Sequence, residues 1–249
     1  MFDITFVCCY NNYAAFNRLE DALKKQSSIA TIIGIDNCSA SFRSCSSAYN
    51  SVLNSIKTKY VAFIHQDIVF LSNDTVSLII EYLKKTSEYD LLGVAGAVEE
   101  IKFTSKVYSN IIHGKNKTNA GSTFQGMREC MTVDECLIFG HTRFFINNHF
   151  DEKTCDNWHL YSVELCLRTK ANKGKVYACD IYLYHESKGT LSHKYVQGFY
   201  NLCRYYHKTY PFITTCCASS RTAFPFLIKT CFVIEGSIFK RRIIKGRNN

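Results

Sequence analysis

The sequence predicts an α/β fold: a mostly parallel central sheet with helices on both faces, followed by a basic helical tail. Three observations carry this. Short apolar runs rich in β-formers alternate with helically spaced stretches through the first hundred residues. The runs are apolar throughout, as in strands covered on both faces, where helices link parallel neighbours. The last thirty residues then change character and gather seven basic residues against the single acid Glu235.

The elements follow in order. Asp3–Cys9 is a buried strand, broken by Asn11 and Asn12, and residues 13–25 carry helical spacing through Phe16, Leu19 and Leu23. Thr31–Ile35 is a second strand ending at Asp36-Asn37. Ser44–Ile56 reads as a helix and Tyr60–Ile64 as a third strand. Asp74 can cap a helix through Leu83, because a short acid accepts from the first free N–H groups. Leu91–Val98 is a fourth strand whose Gly93 and Gly96 indicate close backbone approach. HGKNKTNAGSTFQG, residues 113–126, reads as a long loop. Cys130–Gly140 is a further strand, a helix capped at Asp156 or Asn157 runs to Lys170, Val176–Tyr184 is a strand ending in His185, and 192–207 is helical.

Composition narrows the class. With 249 residues, 47% apolar residues and two prolines, the chain can bury a full core and is not expected to be disordered. The opening MFDITFVCCY lacks a basic n-region and reads as a first strand. The expected setting is cytoplasmic, where thirteen cysteines with no C-x-x-C pair act as reduced, mostly apolar residues. Sequons at Asn37, Asn73 and Asn116 are then accidental. The net charge of +9 sits mainly in the tail, which argues against a nucleic-acid groove through the body. Within the segment from Thr222 to Gly246 the longest apolar run is interrupted by Lys229 and falls short of the ~20 residues a spanning helix needs. Its apolar positions Phe224, Leu227, Ile228, Cys231, Phe232 and Ile238, beside Lys240-Arg241-Arg242, suit either an interfacial helix on an anionic membrane or a helix packed on its own domain.

Ligands of such sheets sit at the carboxyl ends of the strands. That places Cys9–Asn12, Asp36-Asn37 and His65–Asp67 on one rim. The polar groups of YVAFIHQDIVF therefore lie where the third strand leaves the core.

Taken in order, FVCCYNN, IIGIDN, SSAYNSVLNSIKTKYVAFIHQDI and WHLYSVELCLRTKANKGKVYACDIYLYHESKGT resemble a family 2 glycosyltransferase of GT-A fold, over about residues 3–190. His-Gln-Asp in place of Asp-x-Asp is most like a bacterial subgroup. The resemblance implies residues 1–208 as the transferase domain, with 1–99 the nucleotide-binding half and 100–208 the acceptor half, and 209–249 as an extension. It implies inverting, metal-dependent transfer from a nucleotide sugar, with UDP the expected carrier, to a hydroxyl of a glycan or glycolipid such as a bacterial surface polysaccharide.

The residue roles follow from the same resemblance. Asp67 and His185 would hold Mn²⁺ or Mg²⁺, Asp67 standing where the second acid of Asp-x-Asp stands. His65 and Gln66 fall on the nucleotide, with Asn11 in the first loop and Asp36 beside the base. His185 has the plainer alternative of a strand-end imidazole on a backbone carbonyl. Inverting transfer needs a base, and the usual acid position holds Ser162, which leaves Glu164 first and His159 second. Asp134 would line the acceptor side. The rival reading is a catalytically silent GT-A protein that binds nucleotide or membrane.

Overall fold

The computed structural model describes residues 3–187 and 191–247, with side chains through Arg241. Lys188–Thr190 of the ESKGT motif and the side chain of Arg242 lie outside the described residues.

The chain runs β1 (Ile4–Tyr10), α1 (Tyr13–Lys24), β2 (Thr31–Asp36), α2 (Cys45–Asn50), a 3₁₀ turn (Leu53–Ser55), β3 (Tyr60–Ile64), β4 (Ile68–Phe70), α3 (Thr75–Lys84), β5 (Leu91–Gly93), β6 (Ala95–Glu99), β7 (Ser105–Ser109) and β8 (Ile111–His113). It continues with β9 (Thr118–Asn119), β10 (Met127–Glu129), β11 (Thr132–Val133), β12 (Leu137–His141), α4 (Thr142–Asn147) and α5 (Tyr161–Ala171). The last elements are β13 (Val176–Cys179), β14 (Leu183–His185), α6 (His193–Tyr206), β15 (Phe212–Thr214), β16 (Ser219–Arg221) and α7 (Phe224–Arg247).

A seven-stranded sheet, ordered β10-β13-β5-β12-β3-β1-β2, forms the centre. It is mixed. β1 pairs in parallel with β2 and β3, and β13 with β5, whereas β12 runs antiparallel between β3 and β5 and β10 closes the far edge antiparallel. Side chains alternate across it as the pleat requires. Val61 and Phe63 of β3 enter the core under α2 and α5, while Tyr60, Ala62 and Ile64 enter the core under α1 and α3. Both faces are covered, which is why the strands read as continuous apolar runs.

Three expected strands are interrupted. Residues 91–98 divide at Val94 into β5 and β6, 130–140 at Asp134–Cys136, and 176–184 at Asp180–Tyr182. At each break the chain passes between the large sheet and a small one. β6 and β11 join β7 in a three-stranded sheet, and β14 joins β4, β8 and β9 in a four-stranded one. The two glycines of the first break permit the crossing: a Cβ on Gly93 would lie 2.7 Å from Val133 Cβ, and one on Gly96 2.7 Å from Cys130 Sγ. Residues 100–127, expected as irregular chain, supply the edges of both small sheets.

Helix starts differ in detail. α5 begins at Tyr161, not at Asp156 or Asn157, because Leu160 takes a left-handed conformation (φ 68°) and Asn157 Oδ1 instead accepts from His159 N. Asp74 stands before α3, but its carboxylate accepts from Ser27 Oγ. The tail helix α7 packs on α6 and β16, with Leu227 and Ile238 buried. The apolar face expected from the sequence is thus divided, since Phe224 and Phe232 are exposed, and Phe226, Val233 and Phe239 join them at the surface. Among the described residues no helix is long and apolar enough to cross a membrane. All thirteen cysteines are free thiols, most of them buried.

Candidate active site

The carboxyl ends of β1, β2 and β3 open on one rim, as the strand order requires. β3 ends at Ile64, and the chain turns through His65, Gln66 and Asp67 into β4. β4 pairs antiparallel with β14, setting His185 opposite Ile68. This register brings His185 Nε2 to 3.1 Å from Asp67 Oδ1 across 118 residues of sequence. The Asp67 backbone is tied to the same strand end, its carbonyl accepting from Glu186 N at 3.0 Å. His65 completes the group: one ligand atom from each of His65, Asp67 and His185 lies within 4.8 Å of the others.

The electrostatics suit cation ligation. Burial alone would raise the Asp67 pKa, but the hydrogen bond and charge of His185, with His65 beside it, hold the carboxyl well below the usual range. Burial, reinforced by the neighbouring His185, pushes His65 down to about 4, so its ring is neutral near pH 7. Burial opposes a charge on His185 as well, yet the Asp67 partner outweighs it and raises that imidazole. Tyr161 OH donates to the Glu135 carbonyl at 3.1 Å and so accepts from His65 Nε2 at 3.1 Å, which leaves Nδ1 with the free lone pair. One anionic oxygen and two imidazoles converging in this way fit a divalent cation; the mixed nitrogen and oxygen set suits Mn²⁺ better than Mg²⁺.

Two cavities meet at this group. One, of about 540 Å³, lies over the ends of β1 and β2 and is bordered by Tyr10, Asn11, Asn37, Phe42 and Tyr49. Gln66 builds its floor. Its Oε1 accepts from Asn11 N and Asn12 N at 3.1 and 3.0 Å, and its Nε2 donates to Asn11 Oδ1 at 2.7 Å, tying the first loop to the β3 turn. Asp36 is exposed at the end of β2 with its carboxylate on Cys38 N; its neighbours Asn37 and Cys38 line the cavity. The second cavity, of about 420 Å³, is bordered by Asp134, Glu135, His159, His185, Tyr195 and Arg241. His65, Asp67 and Trp158 border both.

The base candidates separate. Glu164 borders neither cavity: it is 2% exposed, accepts from Arg168 Nε and Nη2 at 3.0 Å each, and accepts from Tyr206 OH at 2.9 Å. Counting from Tyr161, the fourth residue of the helix points into the core, toward α6. Ser162 is buried too, its Oγ donating to Val133 O at 2.9 Å. His159 borders the second cavity with its ring set edge-on to Tyr195, and burial pushes its pKa down, so it is a neutral imidazole. Asp134 borders the same cavity and accepts from Cys136 N at 3.0 Å.

Sequence reasoning missed Glu135, Tyr161, Trp158 and Arg241. Trp158 is the chain's one tryptophan and adjoins His159, a signal that was available. The others are brought to the site by packing alone.

A model of the "Glycosyltransferase like family" matches residues 5–181. A curated relative, "ATP synthase subunits region ORF 6" of Fuscovulum blasticum, is 21% identical over 184 residues, covering 70% of each chain. Among solved structures, GalNAc-T7 with UDP, GalNAc and Mn²⁺ superposes with a TM-score of 0.56 at 8% identity, over 83% of this chain and 48% of that one. TarS 1–349 of S. aureus in complex with UDP-GlcNAc superposes at 0.53 with 14% identity, over 82% and 66%. The chain thus spans less than two thirds of either, and at these identities the likeness is one of fold. The family match, in contrast, runs from β1 to the β13–β14 turn and takes in the lining of the first cavity with His65, Asp67, Asp134, Glu135 and His159 of the second, so the chain belongs to the glycosyltransferase-like family.

Proposed function

We propose that the chain is an inverting, cation-dependent glycosyltransferase that moves a sugar from a UDP-sugar to a hydroxyl of a glycan or glycolipid, a bacterial surface polysaccharide being the class of product. The observation that carries this is the His65–Asp67–His185 group on the ridge between two cavities. A nucleotide fits the first, and the sugar and its acceptor the second. UDP accompanies the GalNAc-T7 neighbour, with Mn²⁺, and UDP-GlcNAc the TarS neighbour.

A cation held by His65, Asp67 and His185 would offset the charge that grows on the departing diphosphate. The remaining work falls to the chain. Gln66 and Asn11 set the backbone over which the nucleotide lies, and Asn37 and Cys38 face its base, with Asp36 flanking them. Trp158, which borders both cavities, would limit water between them. His159 and Asp134 stand on the acceptor side. The exposed Phe226, Phe232, Val233 and Phe239 of α7, with Lys229, Lys240 and Arg241, suit peripheral contact with an anionic membrane where a glycolipid acceptor would reside.

Calorimetric titration of UDP with and without Mn²⁺ tests the core of this reading. Binding should require the cation and fall at least tenfold in Asp67→Ala. Equal affinity in the variant, or no binding with Mn²⁺, overturns it. The burial of Ser162 and Glu164 keeps a silent nucleotide-binding protein as the second reading. Slow release of free sugar from a panel of UDP-sugars excludes that reading.

A further inference from the structure

We propose that Glu135 is the general base of the transfer, a role that rests on the glycosyltransferase reading above. The two acids and the hydroxyl nearest the start of α5 in sequence are accounted for: Glu164 is locked by Arg168 and Tyr206, Asp156 is exposed away from the cavities, and Ser162 is bonded to Val133. That last bond has a consequence. Ser162 Oγ on Val133 O and Tyr161 OH on Glu135 O fasten the turn after β11 against the first turn of α5. Glu135 therefore brings a carboxyl to the helix entry from the opposite wall.

The geometry of that carboxyl is what a base requires. It lies against the backbone N–H groups of Leu160 and Tyr161, which fix its orientation at the helix N-terminus. Its Oε1 is buried and has no hydrogen-bond partner among the described residues, an unusual state for a buried oxygen. Glu135 also borders the 420 Å³ cavity, together with His65, Asp67 and His185. Rotation of the carboxyl toward that cavity would let an acceptor hydroxyl satisfy the orphaned oxygen.

The acceptor O–H proton passes to Glu135 Oε1 while the acceptor oxygen forms a bond to the anomeric carbon. The bond from that carbon to the diphosphate oxygen breaks, and its electron pair leaves with UDP. Burial and the adjacent Asp134 raise the Glu135 pKa well above the ordinary carboxyl value, against the pull of the two N–H groups. A raised pKa makes the carboxylate a stronger base, and it makes the rate climb with pH as that form appears. The other groups facing this carboxyl are Cys45 of α2, Cys155, Tyr161, Tyr195 of α6 and Cys217, with His159 and Arg241 of α7 on the same cavity.

The test is hydrolysis of a UDP-sugar panel, with water as acceptor, at saturating Mn²⁺ over a range of pH. Glu135→Gln should lower kcat by roughly 10²–10⁴-fold, the usual share of a general base, and abolish the acid limb of the profile. Its Kd for UDP with Mn²⁺ should stay within about threefold of the parent. Glu135→Met fills the same space without a buried charge and should lose the same rate, which keeps the test in hand if the amide variant is unstable. A folded variant of either kind with near-parental hydrolysis overturns the proposal, as does an acid limb that survives in Glu135→Gln but vanishes in Asp134→Asn or His159→Gln. If the parent protein itself binds no UDP with Mn²⁺, the glycosyltransferase reading fails and takes this role with it. Normal UDP binding with unaffected hydrolysis in Glu135→Gln overturns the role of Glu135 alone.

Discussion

Replacing Glu164 by alanine should unfold the α5–α6 contact without touching the chemistry. The carboxylate is nearly sealed, with a side-chain exposure of 3%, and Arg168 retains only 27%. Two guanidinium N–H groups and the Tyr206 hydroxyl all point at it. Truncation leaves a mostly buried cation and a buried phenol without their acceptor. Breaking a buried pair in this way costs about 3–5 kcal/mol. For a chain of this size, each kcal/mol moves Tm by roughly 2–4 °C, so the fall should be roughly 6–20 °C. Thermal unfolding followed by circular dichroism measures it, and UDP calorimetry on the folded fraction at low temperature should give the parental Kd. Replacing all three partners with apolar residues of similar volume, as in a Glu164→Leu, Arg168→Met, Tyr206→Phe triple variant, should recover most of the loss, since an apolar core avoids the desolvation of the pair. A Glu164→Ala protein that melts within about 2 °C of the parent, yet hydrolyses UDP-sugars hundreds of times more slowly, would refute the argument and return Glu164 to the reaction.

Cation affinity should rise as pH climbs through the raised range of His185, above the ordinary imidazole value, because its ring carries a proton stabilised by Asp67 that a cation must displace. Titration in buffers of different ionisation enthalpy should register proton release, and its absence would contradict the assigned ligands. Without cation, the sign differs for each partner. The raised His185 stabilises below its unfolded pKa and loses that contribution as pH rises through its folded value. The depressed Asp67 stabilises above the ordinary carboxyl range and loses its share as pH falls. Gln66→Leu should weaken UDP binding several-fold with little change in Tm, since it frees the Asn11–Asn12 loop from the β3 turn while leaving the core intact; unchanged affinity by calorimetry would remove that clamp from the site. Gly174→Ala should cost about 1–3 kcal/mol by overpacking, because its Cβ would lie 2.4 Å from Tyr89 O and 2.8 Å from Thr169 Cγ2, and a denaturant midpoint equal to the parent's would show that the loop yields freely.

How far the sequence alone reached depends on where each residue gets its partners. β1 and β3 were legible because an apolar run covered on both faces needs no knowledge of its neighbours, β2 was legible from its β-forming residues although only Ile35 of it is buried, and the rim followed from strand direction. The approach of Asp67 to His185, expected from the family resemblance, depends on β4–β14 pairing, and the 3.1 Å contact agrees with it. The surroundings of Glu164 were not legible because periodicity tells which residues share a helix face but not which element covers that face; Tyr206, 42 positions later, bonds its carboxylate. Strand breaks at Val94 and Asp180 escaped because apolar composition continues across them while the chain changes sheets. Glu135 carried no signal at all, since its meaning lies in the fastening of one turn to the start of α5. On α7 the sequence marked apolar positions correctly but not which of them α6 would claim.

The pairing of β14 with β4 has a further consequence, for the order in which the molecule becomes competent. Its two halves of the ligand group are synthesised far apart, and neither the β3 turn nor the end of β14 can present a complete set alone. An ion that binds only the assembled group would act as a clasp on the finished fold, adding about 2.7 kcal/mol at a hundredfold excess over its Kd. Heat resistance should therefore track free Mn²⁺, and a nascent chain that has not yet reached His185 should gain nothing from the ion.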